Sequence, residues 1–187
     1  MRFLRFRFSL VFGTYLCATA IAQGPIQPVQ WTGSIATKAP IEPGRKATIE
    51  VAADIQDGWH VYGLVQVAGG PTPLHLSLDS NDVVRPAGAI KGTAPVKKYD
   101  SSFDLETQVY TRSFILRVPV QVEQHPAAGR QFVSVSVRFQ ACSERICLPP
   151  RTVHVPVPIE IHSGSWRRFG DRLGSRCDYA FEDRECW

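Results

Sequence analysis

The sequence predicts an all-β sandwich. Short stretches of apolar/polar alternation recur along the chain, and turn signals rich in Gly, Pro, Asn and Asp separate them about every 8–12 residues. No stretch carries a 3.6-residue apolar period, and no internal repeat is present.

The amino terminus stands apart from this pattern. Arg2, Arg5 and Arg7 alternate with Phe3, Phe6 and Phe8, Leu10 to Ala20 is apolar, and Ala20-Ile21-Ala22 is an A-x-A cleavage signal before Gln23. Residues 1–22 therefore read as a secretory signal peptide cleaved after Ala22. Its apolar segment is shorter than the roughly 20 residues a spanning helix needs, and no later run is long enough, so the mature chain is not expected to insert into a membrane. Leu16 stands where a lipidated cysteine would need a small residue, so Cys17 is expected to leave with the peptide. Removing three arginines takes Lys plus Arg from 21 to 18, against 17 Asp plus Glu. The mature chain is thus nearly neutral, and its charge gives no reason to expect a nucleic-acid or anionic-membrane partner.

The remaining chain is long enough for one domain with its own core. Gln23 to Gln30 is a Gln/Pro-rich, extended lead-in, and the domain is expected over residues 31–162. Trp31 to Thr37 reads as a first strand. Lys46 to Ile55 is a second, with Ile49, Val51 and Ala53 sharing a face. After the Asp57-Gly58 turn, Trp59-His60-Val61-Tyr62 is extended and aromatic. Val67 to Pro73 is a Gly/Pro loop, Leu74 to Leu78 alternates, and Val83 to Arg85 is a short strand. Gly88 to Lys98 reads as irregular and Tyr99 to Asp104 as a polar loop carrying two aromatics. Thr107 to Val122 holds two strand-like patches. Gln131 to Gln140 alternates cleanly through Val133, Val135, Val137 and Phe139, and Arg151 to Ile161 mirrors it. Pro156 and Pro158 place that last strand at a sheet edge. Residues 163–187 lose the alternation and form a tail of uncertain order.

Four cysteines remain after processing: Cys142, Cys147, Cys177 and Cys186. In an oxidising compartment an even number reads first as disulfides, and the short spacing favours Cys142 with Cys147. Cys177 with Cys186 is the complementary pairing. A loop this short contributes only about 2 kcal/mol by the loop-entropy relation, so the bridge can open without unfolding the domain. Reactivity also needs thiolate character, which a nearby cation promotes, and Arg145 is the local candidate. Spacing alone leaves three uses open. A structural staple is the commonest in this compartment, thiol–disulfide exchange is the second, and zinc would have to recruit the tail cysteines. The five histidines (His60, His75, His125, His154 and His162) show no paired spacing and read as surface or satisfied residues.

Three stretches carry a family resemblance. Phe139-Gln140-Ala141-Cys142 with Cys147-Leu148-Pro149-Pro150 resembles the Y-Q-x-C…C-x-P-P segment of the amino-terminal periplasmic domain of DsbD, the thiol:disulfide interchange protein. Asp57-Gly58-Trp59-His60-Val61-Tyr62 is similar to that family's aromatic strand, and Tyr99 to Phe103 with Glu106 and Tyr110 to its cap-loop region. The resemblance implies an immunoglobulin-like β-sandwich in the periplasm that relays electrons to thioredoxin-like proteins without a cofactor. It implies that Cys147 forms mixed disulfides and Cys142 resolves them. Phe103 would cap the pair, with Tyr99 and Asp100 in the cap region and Tyr62 and Trp59 lining the site. Ser101 and Ser102 stand where the family pattern has acids. Because the chain stops at Trp187, a separate membrane DsbD-like protein is the expected electron donor. The competing reading is a non-enzymatic binding or assembly module with a structural Cys142–Cys147 bridge.

Overall fold

A computed structural model describes residues 26–37 and 40–162. The signal-peptide region and the tail with Cys177 and Cys186 lie outside the described residues. In chain order the strands are β1 (Val29–Ile35), β2 (Lys46–Ile55), β3 (Trp59–Tyr62), β4 (His75–Leu78), β5 (Val84–Pro86) and β6 (Lys91–Gly92), then β7 (Val96–Asp100), β8 (Leu105–Tyr110), β9 (Phe114–Val122), β10 (Gly129–Phe139), β11 (Ala141–Ser143) and β12 (Arg151–Ile161). All the named pairings are antiparallel.

One sheet runs β1-β2-β9-β5, with β6 also on β9, and a second runs β12-β10-β4. Alternation decides how they meet. Ile49 and Val51 on β2 and Leu116 and Val120 on β9 are buried, as are Val135 and Val137 on β10 and Val157 and Ile159 on β12. All belong to one contiguous core. Burying each such side chain contributes about 1.5–3 kcal/mol. Trp31 spans the interface, meeting Phe114 edge-on at 5.7 Å and Phe139 at 5.1 Å. Two antiparallel sheets facing across an alternating core make the fold an immunoglobulin-like β-sandwich.

Small residues and prolines fit the same geometry. A Cβ on Gly33 would lie 2.6 Å from Val157 Cγ2, so only glycine lets β1 pass this close to β12. β12 is the outer strand of its sheet. Pro156 and Pro158 are two residues apart, so both missing N–H groups face the same side, away from β10.

A third sheet, β11-β3-β8-β7, sits at the end of the sandwich reached when β10 runs on through Gln140 into β11. Two strands, one in this sheet and one on β9 of the first, differ from the sequence reading. Val96–Asp100 is a strand rather than part of irregular chain, and Lys91–Gly92 is a short strand as well. The first four residues of β7 are exposed on both sides of the chain, so no apolar alternation marks it. Its backbone bonds to β8 make the strand.

Candidate functional site

Cys142 and Cys147 face each other across a tight turn. The Ser143 N–H donates to the Ile146 carbonyl at 2.8 Å, and Leu148 N–H to Ala141 at 2.9 Å. Inside the turn the Ser143 hydroxyl accepts the Arg145 and Ile146 N–H groups, each at 3.2 Å. The two cysteines form an antiparallel bridge with Cα atoms 4.0 Å apart and are joined by a disulfide. Pro149 and Pro150 then end local pairing before β12 begins.

Burial separates the two sulfur-bearing residues. Cys142 is 1% exposed, whereas Cys147 is only partly buried. Cys142 joins Tyr62 and Val109 in a small cluster distinct from the main core, with Phe103 and Cys147 packed against it.

The third sheet sorts its residues by parity. Cys142 stands opposite His60 and Ser143 opposite Trp59 in the β11–β3 register. Side chains directly opposite share a face, and residues two apart do so too. His60, Tyr62 and Cys142 therefore occupy one face, and Trp59, Val61 and Ala141 the other. Trp59 does not line the cleft over the disulfide and packs against the main core, which corrects the expectation that it flanks the site. It is three residues from Tyr62, an odd separation that reverses the face.

Tyr62 is fully buried, and its hydroxyl donates to Asp100 Oδ2 at 2.6 Å. The same hydroxyl lies 3.4 Å from Cys142 Sγ. Burial, then the hydrogen bond and charge of Asp100, push the phenol well above its ordinary value, so it remains protonated.

The β7–β8 hairpin brings Phe103 against this cluster. Asp100 shapes its turn, accepting Ser102 N–H on Oδ1 at 2.9 Å and Phe103 N–H on its carbonyl at 3.3 Å. Asp104 adopts a φ of 56°, the left-handed conformation that Asp tolerates better than most side chains. Tyr99, 61% exposed at the cleft margin, donates its hydroxyl proton to Asp104. Phe103 is half-buried and meets Tyr62 edge-on at 6.2 Å. Of the residues named from sequence, the structure thus gathers Cys142, Cys147, Phe103, Tyr62, Asp100 and Tyr99, and leaves out Trp59.

Sequence reasoning missed two residues and misassigned the local cation. Arg145 is exposed and does not line the cleft, but Lys98 of β7 does, and its ammonium binds Glu144 at 2.6 Å. That bond and the charge of Lys98 hold the Glu144 carboxyl below its usual range. His60, read as a surface or satisfied residue, is 8% exposed and lines the cleft. Burial lowers its pKa below the ordinary value and Lys98 adds to the shift, while Asp100 and Glu144 oppose it. The signal for His60 was present in its even spacing from Tyr62. Lys98 carried no local signal.

The sequence family described as thiol:disulfide interchange protein DsbD, N-terminal, matches residues 30–159. The chain belongs to that family. Its domains are periplasmic thiol–disulfide exchange domains. Among solved structures, the Neisseria meningitidis DsbD N-terminal domain in its reduced form is 20% identical, with a TM-score of 0.41, covering 60% of this chain and 77% of that one. The N-terminal periplasmic domain of ScsB from Proteus mirabilis is 12% identical, with a TM-score of 0.43, covering 71% of this chain and 45% of that one. No curated protein matches the chain.

Proposed function

We propose that this chain, exported by cleavage after Ala22, relays electrons in the periplasm from a separate membrane DsbD-like donor to thioredoxin-like proteins through the Cys142–Cys147 pair. The observation that carries this reading is the unequal burial of the two cysteines, with Phe103 packed against their cluster. An incoming thiolate has access to Cys147 Sγ once Phe103 moves aside, whereas Cys142 is enclosed. The thiolate attacks Cys147, a new sulfur–sulfur bond forms, and the Cys142–Cys147 bond breaks with its electron pair leaving on Cys142. The Tyr62 hydroxyl, 3.4 Å from Cys142 Sγ, can turn its single proton from Asp100 toward that buried thiolate as it forms. Attack by the donor's second thiol on its own sulfur releases Cys147 and leaves the domain reduced by two electrons. In the reverse sense, the reduced Cys147 thiolate attacks the disulfide of an acceptor protein.

Trapping tests the role of each cysteine. Cys142→Ala is expected to accumulate mixed disulfides through Cys147 with thioredoxin-like periplasmic proteins, and Cys147→Ala to accumulate few. Adducts formed equally by both variants, or only through Cys142, would contradict the assignment.

A further inference from the structure

We infer that His60 is the acid–base group of the exchange, taking a proton from the incoming thiol and returning it to Cys142. This rests on the exchange reading above, and it assigns a residue that neither the cysteine spacing nor the cap requires.

Position makes the argument. His60 is the cross-strand partner of Cys142, which places the two Cβ atoms about 4.5–5.5 Å apart on one face of the sheet. Both side chains line the cleft that contains Cys147. The ring is fixed edge-on against Tyr62 at 5.3 Å. Tyr62 itself is poorly suited to remove a proton, because its phenol holds its own, donated to Asp100 at 2.6 Å, and burial and Asp100 keep it protonated. A buried histidine beside a reacting disulfide is the remaining group on this face that both accepts and releases a proton near neutral pH.

The charges facing His60 keep it available as a base. Lys98 of β7 repels a proton on the imidazole, Asp100 of β7 and Glu144 of the cysteine turn attract one, and burial tips the balance to the neutral form. Lys98 is itself partnered by Glu144. The steps balance. Neutral His60 accepts the S–H proton of a reduced dithiol, and the resulting thiolate forms its bond to Cys147 Sγ. The Cys147–Cys142 bond breaks with its electron pair on Cys142, and the imidazolium protonates that sulfur. The donor's second thiol then attacks the donor sulfur bonded to Cys147; Cys147 leaves with the electron pair and takes up that thiol's proton, so two electrons and two protons have passed from donor to domain.

The test uses the oxidised protein and dithiothreitol as the dithiol, following bridge opening against pH. With a base in the site, the rate follows the neutral imidazole and levels off between about pH 6.5 and 8, below the ordinary thiol pKa. Without one, the rate follows free thiolate and climbs about tenfold per pH unit over that range. Wild type is expected to show the plateau. His60→Gln and His60→Phe, with folding checked by thermal unfolding, are expected to show the climb and to react at least about tenfold more slowly than wild type at the low end of that range. A tenfold-per-unit climb in wild type overturns the role of His60 and leaves the exchange reading standing, and this holds even if neither variant folds. A plateau retained in a folded variant also overturns it. A bridge that dithiothreitol fails to open at any pH overturns the exchange reading and this inference together.

Discussion

Between the two facing sheets lies a core of fully buried Ile, Val and Leu side chains from β2, β9, β10 and β12, closed by Trp31 against Phe114 and Phe139. On its outer face the third sheet has a small apolar cluster of Tyr62, Val109 and Cys142, with Phe103 and Cys147 half covered and the polar His60 and Thr107 buried beside it. Polar and charged groups border that small cluster, and a four-residue turn closes it. Local opening is governed by how much apolar contact must be broken. The disulfide and the turn carrying Phe103 are therefore expected to rearrange while the sandwich stays closed. Substitutions in the two regions should separate stability from reactivity.

The largest expected effect is in the core. Phe139→Ala removes a 1%-exposed ring and should cost about 3–5 kcal/mol in urea unfolding, with the folded fraction keeping its rate of bridge opening. Replacing both Cys142 and Cys147 with alanine should cost about 2 kcal/mol in the same measurement, since the bridge closes a very short loop. A loss as large as that of Phe139→Ala would place the bridge among the main supports of the fold and erase the contrast.

Tyr62→Phe keeps the buried ring and deletes the hydroxyl shared between Asp100 and Cys142. It should lower stability by about 1 kcal/mol and slow bridge opening, because the departing Cys142 thiolate loses its donor. Its raised pKa also sets an alkaline signature. The unfolded phenol ionises near its ordinary value of 10.0 while the folded one stays neutral, so this contribution is present below that pH and is lost as pH rises above it. Tyr62→Phe should remove that part of the alkaline loss.

The smallest effect is the acid one. His60 has a folded pKa below its ordinary 6.5, so the unfolded chain binds its proton first as pH falls. The stability associated with neutral His60 is present above that value and declines as pH drops through the folded pKa. Unfolding curves of wild type and His60→Gln should therefore converge on acidification from neutrality. Parallel curves would show that His60 titrates alike in both states.

Much of this contrast was legible in the sequence because alternation reports directly on burial. β2 and β12 begin and end where the pattern does, and the prolines of β12 announced an outer strand. The cysteine turn was legible for a different reason, since its spacing and flanking Pro-Pro are local. What escaped depends on pairing between distant strands. β7 has exposed lysines and no alternation, so neither the strand nor the placement of Lys98 beside Glu144 could be read from its residues. Parity separates Trp59 from His60, because only even separations from Tyr62 share its face.

The central claim is that the Cys142–Cys147 bridge opens without opening the sandwich. The most direct test is equilibration of the protein in graded thiol–disulfide buffers, reading free thiols together with the protein's tryptophan fluorescence, to which Trp31 and Trp59 at the core contribute. A reduction potential above about −300 mV and native fluorescence in the fully reduced protein are expected. A potential below that value, or fluorescence lost in step with reduction, would contradict it.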